Sequence, residues 1–400
     1  MALLPVPEAQ ARLLALARPL PIERVPVAEA LGRYLAEPLL AARTQPPADL
    51  SAMDGYALRQ ADLPGPWRVI GESSCGHPFG GICRAGEAVR IATGALMPEG
   101  TDMVLMQEDA SRAGDALTLT GTPPDPLGKH IRRMGNDFTK GAQVMPAGTR
   151  LGPAQLGLVL SAGHNLVAVR RIPRIVVIDS GDELSDDAGG CAVHQIPASN
   201  GVMLEAMMRQ ALPCNVERIG PVPDRLDALA QALEAAEPAD VVVTSGGASV
   251  GDHDLIRPAL ADWGASLDFW KVAVKPGKPI MVATRAHQVV VGLPGNPVSS
   301  HVTAYLFVVP LLRALLGAAD PLPRPIVARA AEDLPPGGPR QEFIRASFDG
   351  HSATARLNQD SGALGSLARA NALIDRPVEA PAVAAGGAIS LYLLENGGIA

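Results

Sequence analysis

Apolar and polar residues alternate with different periods along the chain. Residues 8–18 and 27–39 carry apolar side chains at helical spacing, so each segment is predicted to form an amphipathic helix. Between about 50 and 145 the pattern changes to short β-like runs separated by glycines, which is typical of a small all-β module. The apolar stretch 153–170 is compatible with a helix that rejoins the first two. The β module is therefore predicted to be an insertion.

In the middle of the chain, buried strands alternate with helices. A helix is predicted over residues 201–212 with Asn200 or Ser199 as its N-cap, and Asp224 is predicted to cap the next helix. Strands that alternate with helices form a parallel sheet covered on both faces. The predicted strands are RIVVID (174–179), NVERIG (215–220), DVVVT (240–244), IMVAT (280–284) and QVVVG (288–292).

These patterns predict a multidomain chain of the α/β plus β class. Its centre is a three-layer α/β/α domain with a mainly parallel sheet. The other parts are an inserted small β domain, a helical and extended N-terminal part, and a C-terminal β-barrel-like domain. The predicted boundaries are 1–45 with 146–171 for the elongated N-terminal domain, 46–145 for the insertion, 172–322 for the α/β domain and 323–400 for the C-terminal domain.

The composition fits a folded chain with aliphatic cores and many tight turns. Of the 400 residues 47% are apolar and only 3% are aromatic, and the net charge of −7 argues against a nucleic-acid binder. No stretch approaches the ~20 apolar residues of a membrane span, and the N-terminus lacks the pattern of a signal peptide. The four cysteines are not spaced as zinc ligands. We therefore expect reduced thiols in a cytoplasmic protein without nucleic-acid or membrane partners.

The segment TSGGASVGDHD (244–254) follows a buried strand and has the composition of an anion site. Ligands of an open parallel sheet bind beyond the carboxyl ends of its strands. Gly246 and Gly247 can adopt positive φ and bring backbone N–H groups close to a ligand. Ser245 and Ser249 add hydroxyl donors. The alternative is a glycine-rich connector between strand and helix.

The acidic residues that end this loop need a separate explanation. Asp254 would repel an anion unless a cation lies between them, although it could also cap a helix. Other strands of the same sheet lead into residues 180–183, Asp224 and residues 293–297. Pro297 is predicted at the first position of a helix, whose N-terminus is a natural anion site. Each loop alone could be a cap or a turn, but together they predict a site at one edge of the sheet.

A basic segment lies between these loops in sequence. Lys275 and Lys278 flank a Pro-Gly turn in WKVAVKPGKPI (270–280), and Lys271 precedes it. Two ammonium groups held by a rigid turn are suited to an oxyanion, whose charge they neutralise. The alternative is a solvated basic loop.

Nine motifs in a fixed order carry a resemblance to a known family. The chain resembles the molybdopterin molybdenumtransferases, the MoeA and gephyrin E-domain family, almost from end to end. The motifs are SAMDGYA (51–57), VRIATGALMPEGTDMVLMQED (89–109), IRRMGND (131–137), SGDEL (180–184), TSGGASVGDHD (244–254), VKPGKP (274–279), GLPGNPVSS (292–300), QEFIRA (341–346) and SLARAN (366–371).

The resemblance implies an elongated four-part subunit that forms a homodimer, with the active cleft between subunits. It implies a reaction in which adenylylated molybdopterin and molybdate yield molybdenum cofactor and AMP, with Mg²⁺ as the metal. A metal neutralises the charge that develops when a phosphoanhydride is split, and carboxylates bind Mg²⁺. Transient contact with the molybdopterin adenylyltransferase and with molybdoenzymes is also expected.

The same motifs carry over site residues in three sets. The active-site positions implied are Asp54, Thr93, Asp137, Glu183, Asp224, Asp254, Lys271 and Lys275, with Glu183 and Asp254 as metal ligands. The positions implied for the pterin nucleotide are Ser245, Gly246, Gly247, Ser249, Gly251, Pro294, Gly295 and Pro297. The set similar to the family's molybdate site is Lys275, Lys278, Arg340 and Ser366.

Three positions depart from the family pattern. The family usually has an acidic residue at Ala198, a glutamate at Asn136 and a serine at Gly365. A catalytically silent paralogue and a gephyrin-like scaffold therefore remain alternatives. A nucleotide or pyrophosphate hydrolase of the competence-damage type is a further one, but it would resemble only the α/β domain.

Overall fold

The computed structural model describes residues 3–126, 128–246 and 255–394. Within this part of the chain the α-helices are α1 (Val6–Leu16), α2 (Pro153–Ser161), α3 (Ser199–Ala211), α4 (Leu226–Ala235), α5 (Ile256–Asp262), α6 (Pro297–Thr303), α7 (Val309–Leu315) and α8 (Leu364–Ala368). Short 3₁₀ turns occupy Val27–Glu29, Gln60–Asp62 and Gln107–Asp109, and a π-helical turn, Ala304–Val308, joins α6 to α7.

The strands fall into two halves of the chain. Those of the first half are β1 (Ile22–Pro26), β2 (Leu39–Leu40), β3 (Leu50–Ser51), β4 (Gly55–Leu58), β5 (Trp67–Ser73), β6 (Glu87–Ile91), β7 (Met103–Met106), β8 (Ala110–Ala113), β9 (Ala116–Leu119), β10 (Ile131–Arg132), β11 (Gln143–Met145) and β12 (Leu166–Arg170). Those of the second half are β13 (Arg174–Ser180), β14 (Leu184–Ser185), β15 (Ile196–Pro197), β16 (Asn215–Val222), β17 (Val241–Ser245), β18 (Ser266–Trp270), β19 (Val274–Lys275), β20 (Met281–Arg285), β21 (Gln288–Leu293), β22 (Ile326–Ala330), β23 (Gln341–Phe348), β24 (Ser352–Ala355), β25 (Ala372–Arg376) and β26 (Ala388–Leu393).

The first half of the chain runs out to an inserted sheet and then returns antiparallel to its own outgoing part. Three antiparallel pairs, β1 with β12, β2 with β11 and β3 with β10, join the outgoing chain to the returning chain. Beyond the last pair lies a six-stranded sheet in the order β7-β4-β6-β5-β9-β8. Its core contains Leu58, Trp67 and Leu105, all of them buried.

The central sheet has the order β16-β13-β17-β21-β20-β18. Its first four strands are parallel, and β20 and β18 continue it in antiparallel pairing. Ile175 and Val177 face the core formed with α1, α3, α6 and α7, whereas Val176 and Ile178 face the core formed with α4 and α5. This alternation with a period of two buries both faces of the sheet, so the domain has the predicted three layers.

The C-terminal part forms a closed barrel. In the described residues β23, β24, β22, β26 and β25 pair in turn, and β25 pairs again with β23. The short strand β19 adds to the barrel by parallel pairing with the start of β23. The predicted fold class is therefore confirmed.

Three local predictions are wrong. Residues 27–39 do not form a helix; after the 3₁₀ turn the chain is held by bridges such as Leu35 to Val169. The stretch 153–170 is helical only in α2 and ends as strand β12. The N-cap of α3 is Ala198, and that of α4 is Arg225, so none of the three predicted capping residues occupies a cap position. Pro297 does occupy the first turn of α6, as predicted.

One helix among the described residues, Pro297–Leu315, is long and apolar enough to cross a membrane. Of its most apolar window, 83% is buried inside the protein. Val302, Phe307 and Leu311 lie in the same core as the central sheet. It is thus packed as a core helix.

Candidate active site at the carboxyl edge of the central sheet

The carboxyl ends of three neighbouring strands lie side by side. Asp179 pairs with Ser245 across β13 and β17, and Ser245 pairs with Leu293 across β17 and β21. The chain leaves each strand at the same edge because the three strands are parallel. The loops that begin at Gly181, Gly246 and Pro294 are therefore neighbours, as the sequence predicts.

Asn200 links two of these loops. Its amide Nδ2 donates to the hydroxyl Oγ of Ser245 at 2.9 Å and to the carbonyl oxygen of Gly295 at 2.7 Å. Asn200 is in the first turn of α3, so this one side chain joins a helix start to the ends of β17 and β21. The sequence pattern indicated Asn200 as a helix cap and missed this role, since an asparagine before a helix is most often a cap.

Gly246 and Gly295 make a close backbone approach at this edge. Gly246 has a φ of 96°, and a Cβ there would lie 2.3 Å from the carbonyl oxygen of Ser180. A Cβ on Gly295 would lie 3.5 Å from the Cα of Gly246. Any side chain at Gly246 would therefore clash with β13. Gly295 is exposed and Gly246 is partly exposed, so a ligand can approach the backbone here without meeting a side chain at either position.

The N-terminus of α6 lies next to Gly295. Pro294 is buried, and Pro297 opens the helix with Asn296 at the N-cap. The Asn296 side chain donates to Ser361 Oγ at 2.9 Å, and the N–H of Val298 donates to the Ser361 carbonyl at 3.1 Å. The loop before α8 thus takes up one free donor of the helix and docks the C-terminal barrel against the site.

The acidic residues of the first loop lie at the same edge. Glu183 is exposed, and its carboxylate lies over Gly181, where a Cβ would approach Oε2 to 2.4 Å. Asp182 accepts a hydrogen bond of 3.1 Å from the backbone N–H of Asp224. The end of β16 is thereby joined to the end of β13.

The described residues fit Mg²⁺ only in part. Within residues 3–126, 128–246 and 255–394 there is no group of three or more His, Cys, Asp or Glu side chains that could hold a metal ion. Mg²⁺ at nucleotide sites is held by one or two carboxylates together with substrate phosphates and water. Glu183 can supply one such carboxylate. Its predicted partner Asp254 lies outside the described residues, as do Gly247, Ser249 and Gly251.

The predicted basic segment is ordered by specific contacts. Lys275 Nζ lies 2.9 Å from Glu342 Oε1, and its side chain remains half-exposed. Lys271 has a φ of 70° and its ammonium lies 4.0 Å from the centre of the Trp270 ring. Lys278 is exposed. A Cβ on Gly277 would lie 2.3 Å from Thr303 Cγ2, so the turn packs closely on α6.

The barrel brings two further predicted residues to this region of the chain. Arg340 directly precedes Gln341, which pairs with Val274. Arg340 is therefore adjacent in the chain to the strand that joins Lys275. Ser366 is buried and its hydroxyl donates to the carbonyl of Asn358 at 2.7 Å. In this arrangement Ser366 orders the loop that docks on α6.

Asp54 and Asp137 lie in the inserted part of the chain. The carboxylate of Asp54 accepts hydrogen bonds from the Thr93 backbone N–H at 2.6 Å and from its hydroxyl at 2.9 Å. These bonds, the backbone one most strongly, lower the pKa of Asp54, so its carboxylate is ionised at neutral pH. Asp137 is exposed and its N–H donates to the carbonyl of Gln45 at 3.1 Å.

The fold defines an α/β domain with three loops side by side at the carboxyl edge of its sheet, flanked by a β insertion and a β barrel. Three family models match it in order. They are the MoeA N-terminal region (domain I and II) over residues 4–163, the probable molybdopterin binding domain over 176–314, and the MoeA C-terminal region (domain IV) over 327–394.

Known proteins match this chain over most or nearly all of its length. The molybdopterin molybdenumtransferase of Haemophilus influenzae is 38% identical over 75% of this chain and 74% of its own length. That of Staphylococcus aureus MRSA252 is 31% identical over 98% of this chain and 96% of its own. A crystal structure of the molybdopterin biosynthesis moeA protein from Pyrococcus horikoshii OT3 superposes with a TM-score of 0.85 at 28% identity, over 98% of this chain and 100% of that chain.

The chain belongs to the molybdopterin molybdenumtransferase family, the MoeA and gephyrin E-domain family. Its curated relatives are transferases by name. The resemblance that the sequence motifs carried is therefore confirmed.

Proposed function

We propose that this protein inserts molybdenum from molybdate into adenylylated molybdopterin and releases AMP. The observation that carries the proposal is the bridge from Asn200 to Ser245 and Gly295, which ties two loops together at the carboxyl edge of the sheet. Family membership supplies the reaction class, and this geometry supplies a place for the nucleotide.

The phosphates of the nucleotide lie against the exposed backbone at Gly246 and Gly295. The N-terminus of α6 adds a favourable dipole, while the N–H of Val298 is already taken up by Ser361. Pro297 sets the direction in which that helix starts. These groups bind and orient the nucleotide without moving, because Asn200 already fixes the two loops relative to each other.

Molybdate is the second substrate and is a tetrahedral dianion. The ammonium groups of Lys275 and Lys278 are its principal contacts, with Arg340 as a further positive charge. Lys275 exchanges its contact with Glu342 for the dianion when molybdate binds. Lys271 is held over Trp270, and its charge contributes to the field at this end of the domain.

Mg²⁺ is the metal of this proposal. Glu183 and Asp254 would hold it, and when bound it supplies positive charge to the phosphates. Asp224, adjacent to Asp182, orders the neighbouring loop. Asp54 stays ionised through the hydrogen bonds that it accepts from Thr93. Asp54 and Asp137 are the remaining acidic residues of the proposed site.

The remaining expectations form part of the same proposal. The protein is a cytoplasmic homodimer in which the insertion of one subunit faces the α/β domain of the other. Its four domains have the boundaries expected from the sequence. The molybdopterin adenylyltransferase and molybdoenzymes are its transient partners.

The test is turnover of adenylylated molybdopterin with molybdate and Mg²⁺, followed by AMP release and by molybdenum content of the product. We expect AMP release to require molybdate. AMP release at an equal rate without molybdate would instead identify a hydrolase, and binding without any turnover would identify a silent paralogue. Arg324→Ala, which removes one exposed positive charge in the loop before β22, serves as the control for Lys275→Ala.

A further inference from the structure

Asp179 is a buried carboxylate at the end of β13 that the motifs do not single out. Its side chain is 6% exposed. Its Oδ2 accepts a hydrogen bond of 2.9 Å from the backbone N–H of Gly201. Its Oδ1 has no hydrogen-bond partner among the described residues. A half-satisfied buried carboxylate costs free energy, so its position needs a reason.

The reason lies at the start of α3. The first N–H groups of a helix need acceptors from outside the helix, and a side chain at the N-cap usually supplies one. The N-cap of α3 is Ala198, which has no such side chain. Gly201 is the third residue of the helix, the position whose N–H an N-cap side chain would normally bind. Asp179 supplies the missing acceptor from the neighbouring strand.

Gly201 makes room for this carboxylate, and Gly220 makes room for the backbone of Asp179. A Cβ on Gly201 would lie 2.1 Å from Asp179 Oδ2, and a Cβ on Gly220 would lie 2.4 Å from the Asp179 carbonyl oxygen. Any side chain at Gly201 would displace the carboxylate from the helix. The fit is therefore specific to an acid on β13 and a glycine in the first turn of α3.

Opposing effects act on the pKa of Asp179. Burial raises its pKa to about 6, while the hydrogen bond from Gly201 and the charge of Arg218 oppose that rise. Arg218 is itself paired with Glu205 at 2.8 Å. The positive end of α3 favours the ionised carboxylate. At neutral pH Asp179 is thus charged and paired with the helix start.

The contact lies one residue from the bridge described above. We propose that Asp179 is a positioning residue, which fixes the first turn of α3 and thereby aims the Asn200 amide at Ser245 and Gly295. Asp179 does not touch the nucleotide. Its effect on ligand binding passes through Asn200, and this consequence rests on the proposed function of the site.

A double-mutant cycle tests this dependence. AMP is the probe, with its Kd measured by calorimetry, and turnover gives KM for adenylylated molybdopterin. We expect Asp179→Ala and Asn200→Ala each to raise the Kd for AMP about tenfold, the scale of one lost hydrogen bond to a charged or loop-fixing group. Because both act through one bridge, the double variant should bind AMP about as well as Asn200→Ala alone.

Two further variants separate positioning from general stability. Asp179→Asn keeps a neutral acceptor for Gly201 and should change the Kd for AMP less than about threefold. Asp240→Ala removes another buried carboxylate, at the opposite end of the sheet, where it pairs with Arg171. It should lower the melting temperature and leave the Kd for AMP unchanged. If Asp179→Ala does not fold, Asp179→Ser, whose side chain is shorter, replaces it in the cycle.

Losses that multiply in the double variant, or an unchanged Kd in Asp179→Ala, would overturn the proposal. Amide hydrogen exchange over residues 199–204 provides a readout that needs no substrate. Protection there should fall in Asp179→Ala and persist in Asp240→Ala; equal protection in both would also overturn it. A wild-type protein without turnover contradicts the proposed function, and the exchange measurement then still decides the role of Asp179.

Discussion

The ammonium of Lys275 lies 2.9 Å from the carboxylate of Glu342, across the pairing of β19 with β23. The pair joins the turn after β19 to the barrel. It also gives Lys275 a carboxylate partner, which an incoming dianion must replace. In the proposed molybdate site, the affinity for molybdate therefore depends on both residues of the pair.

Lys275→Ala should weaken molybdate binding selectively. One charge-assisted hydrogen bond is worth roughly 1.5–3 kcal/mol, so the molybdate concentration at half-maximal rate should rise roughly 10- to 150-fold. The KM for adenylylated molybdopterin should change less than about threefold, because its phosphates lie on Gly246 and Gly295. Each substrate is titrated with the other saturating. Equal losses for both substrates would rule out a specific molybdate contact.

Glu342→Gln should have the opposite effect. Its neutral amide competes less well for Lys275, and a half-exposed ion pair contributes about 0.2–1 kcal/mol, so half-saturation should occur at roughly 1.5- to 5-fold less molybdate. The same titration measures it. A higher requirement for molybdate in Glu342→Gln would show that Glu342 orients Lys275 instead of competing for it.

Asn200→Asp should damage the site more than Asn200→Ala. The aspartate places a carboxylate oxygen against the carbonyl of Gly295, where Nδ2 now donates, and two acceptors repel each other there, whereas the Ser245 hydroxyl can turn to donate. The alanine loses the bridge without adding repulsion. We expect AMP affinity to fall about tenfold in the alanine variant and further in the aspartate variant. Identical affinities would mean that the bridge does not position the loops.

His301 should make stability depend on pH. Burial lowers its pKa from 6.5 to about 4, since the charged imidazolium is disfavoured inside the protein. The unfolded chain therefore binds more protons between these pH values, and this residue lowers stability as pH falls from 6.5 towards 4. His301→Gln removes the effect. The free energy of unfolding of the variant minus that of the wild type should therefore be larger at pH 4 than at pH 7, by up to about 3 kcal/mol.

Chemical denaturation of both proteins across this range measures the difference. The raised pKa of Asp179 gives the wild type an opposite slope, because there the folded state binds more protons. That slope is common to both proteins and cancels in the comparison. A constant difference between pH 4 and pH 7 would contradict the prediction.

Mixed dimers should test whether two subunits build one site. Asp54→Asn alters the insertion and Glu183→Gln alters the α/β domain, and each homodimer should be inactive. If one site takes Asp54 and Glu183 from different subunits, an equal mixture that exchanges subunits should recover about a quarter of wild-type activity. Light scattering gives the dimer mass. No recovery despite subunit exchange would place both residues of a site in one subunit.

The sequence pattern correctly predicted the elements in which buried positions recur at a regular spacing. The inner strands β13, β17 and β21 are largely continuous apolar runs because both of their faces are covered, and Pro297 marks the start of α6 by its own geometry. Residues 27–39 have helical spacing but form a 3₁₀ turn followed by turns and isolated bridges. There the buried guanidinium of Arg33 pairs with Glu23 and with the carbonyl of Arg170, so tertiary contacts override local propensity.

For the site, too, some features could be predicted from the sequence and others could not. Glycines and prolines reveal where the backbone turns, so the loops could be placed from the sequence. The contacts of Asn200 and Asp179 join residues from different strands, and neither residue type specifies such a partner. The sequence predicted Asn200 as a helix cap and Asp179 as the end of a strand. Only the packing of α3 on the sheet shows that Asp179 accepts from the helix N–H and that Asn200 donates to the loops.

The docking of Ser361 on α6 has a consequence for how this chain can be divided. Its carbonyl receives the Val298 N–H and its hydroxyl receives the Asn296 amide, both within the first turn of the helix that faces the nucleotide. An excised α/β domain would present that turn to solvent with these donors released. The central sheet would persist, but the first turn of α6 would lose the contacts that fix its position. The barrel is therefore an integral part of the proposed ligand site, and exchanging it between relatives would also exchange the contacts that hold the start of α6.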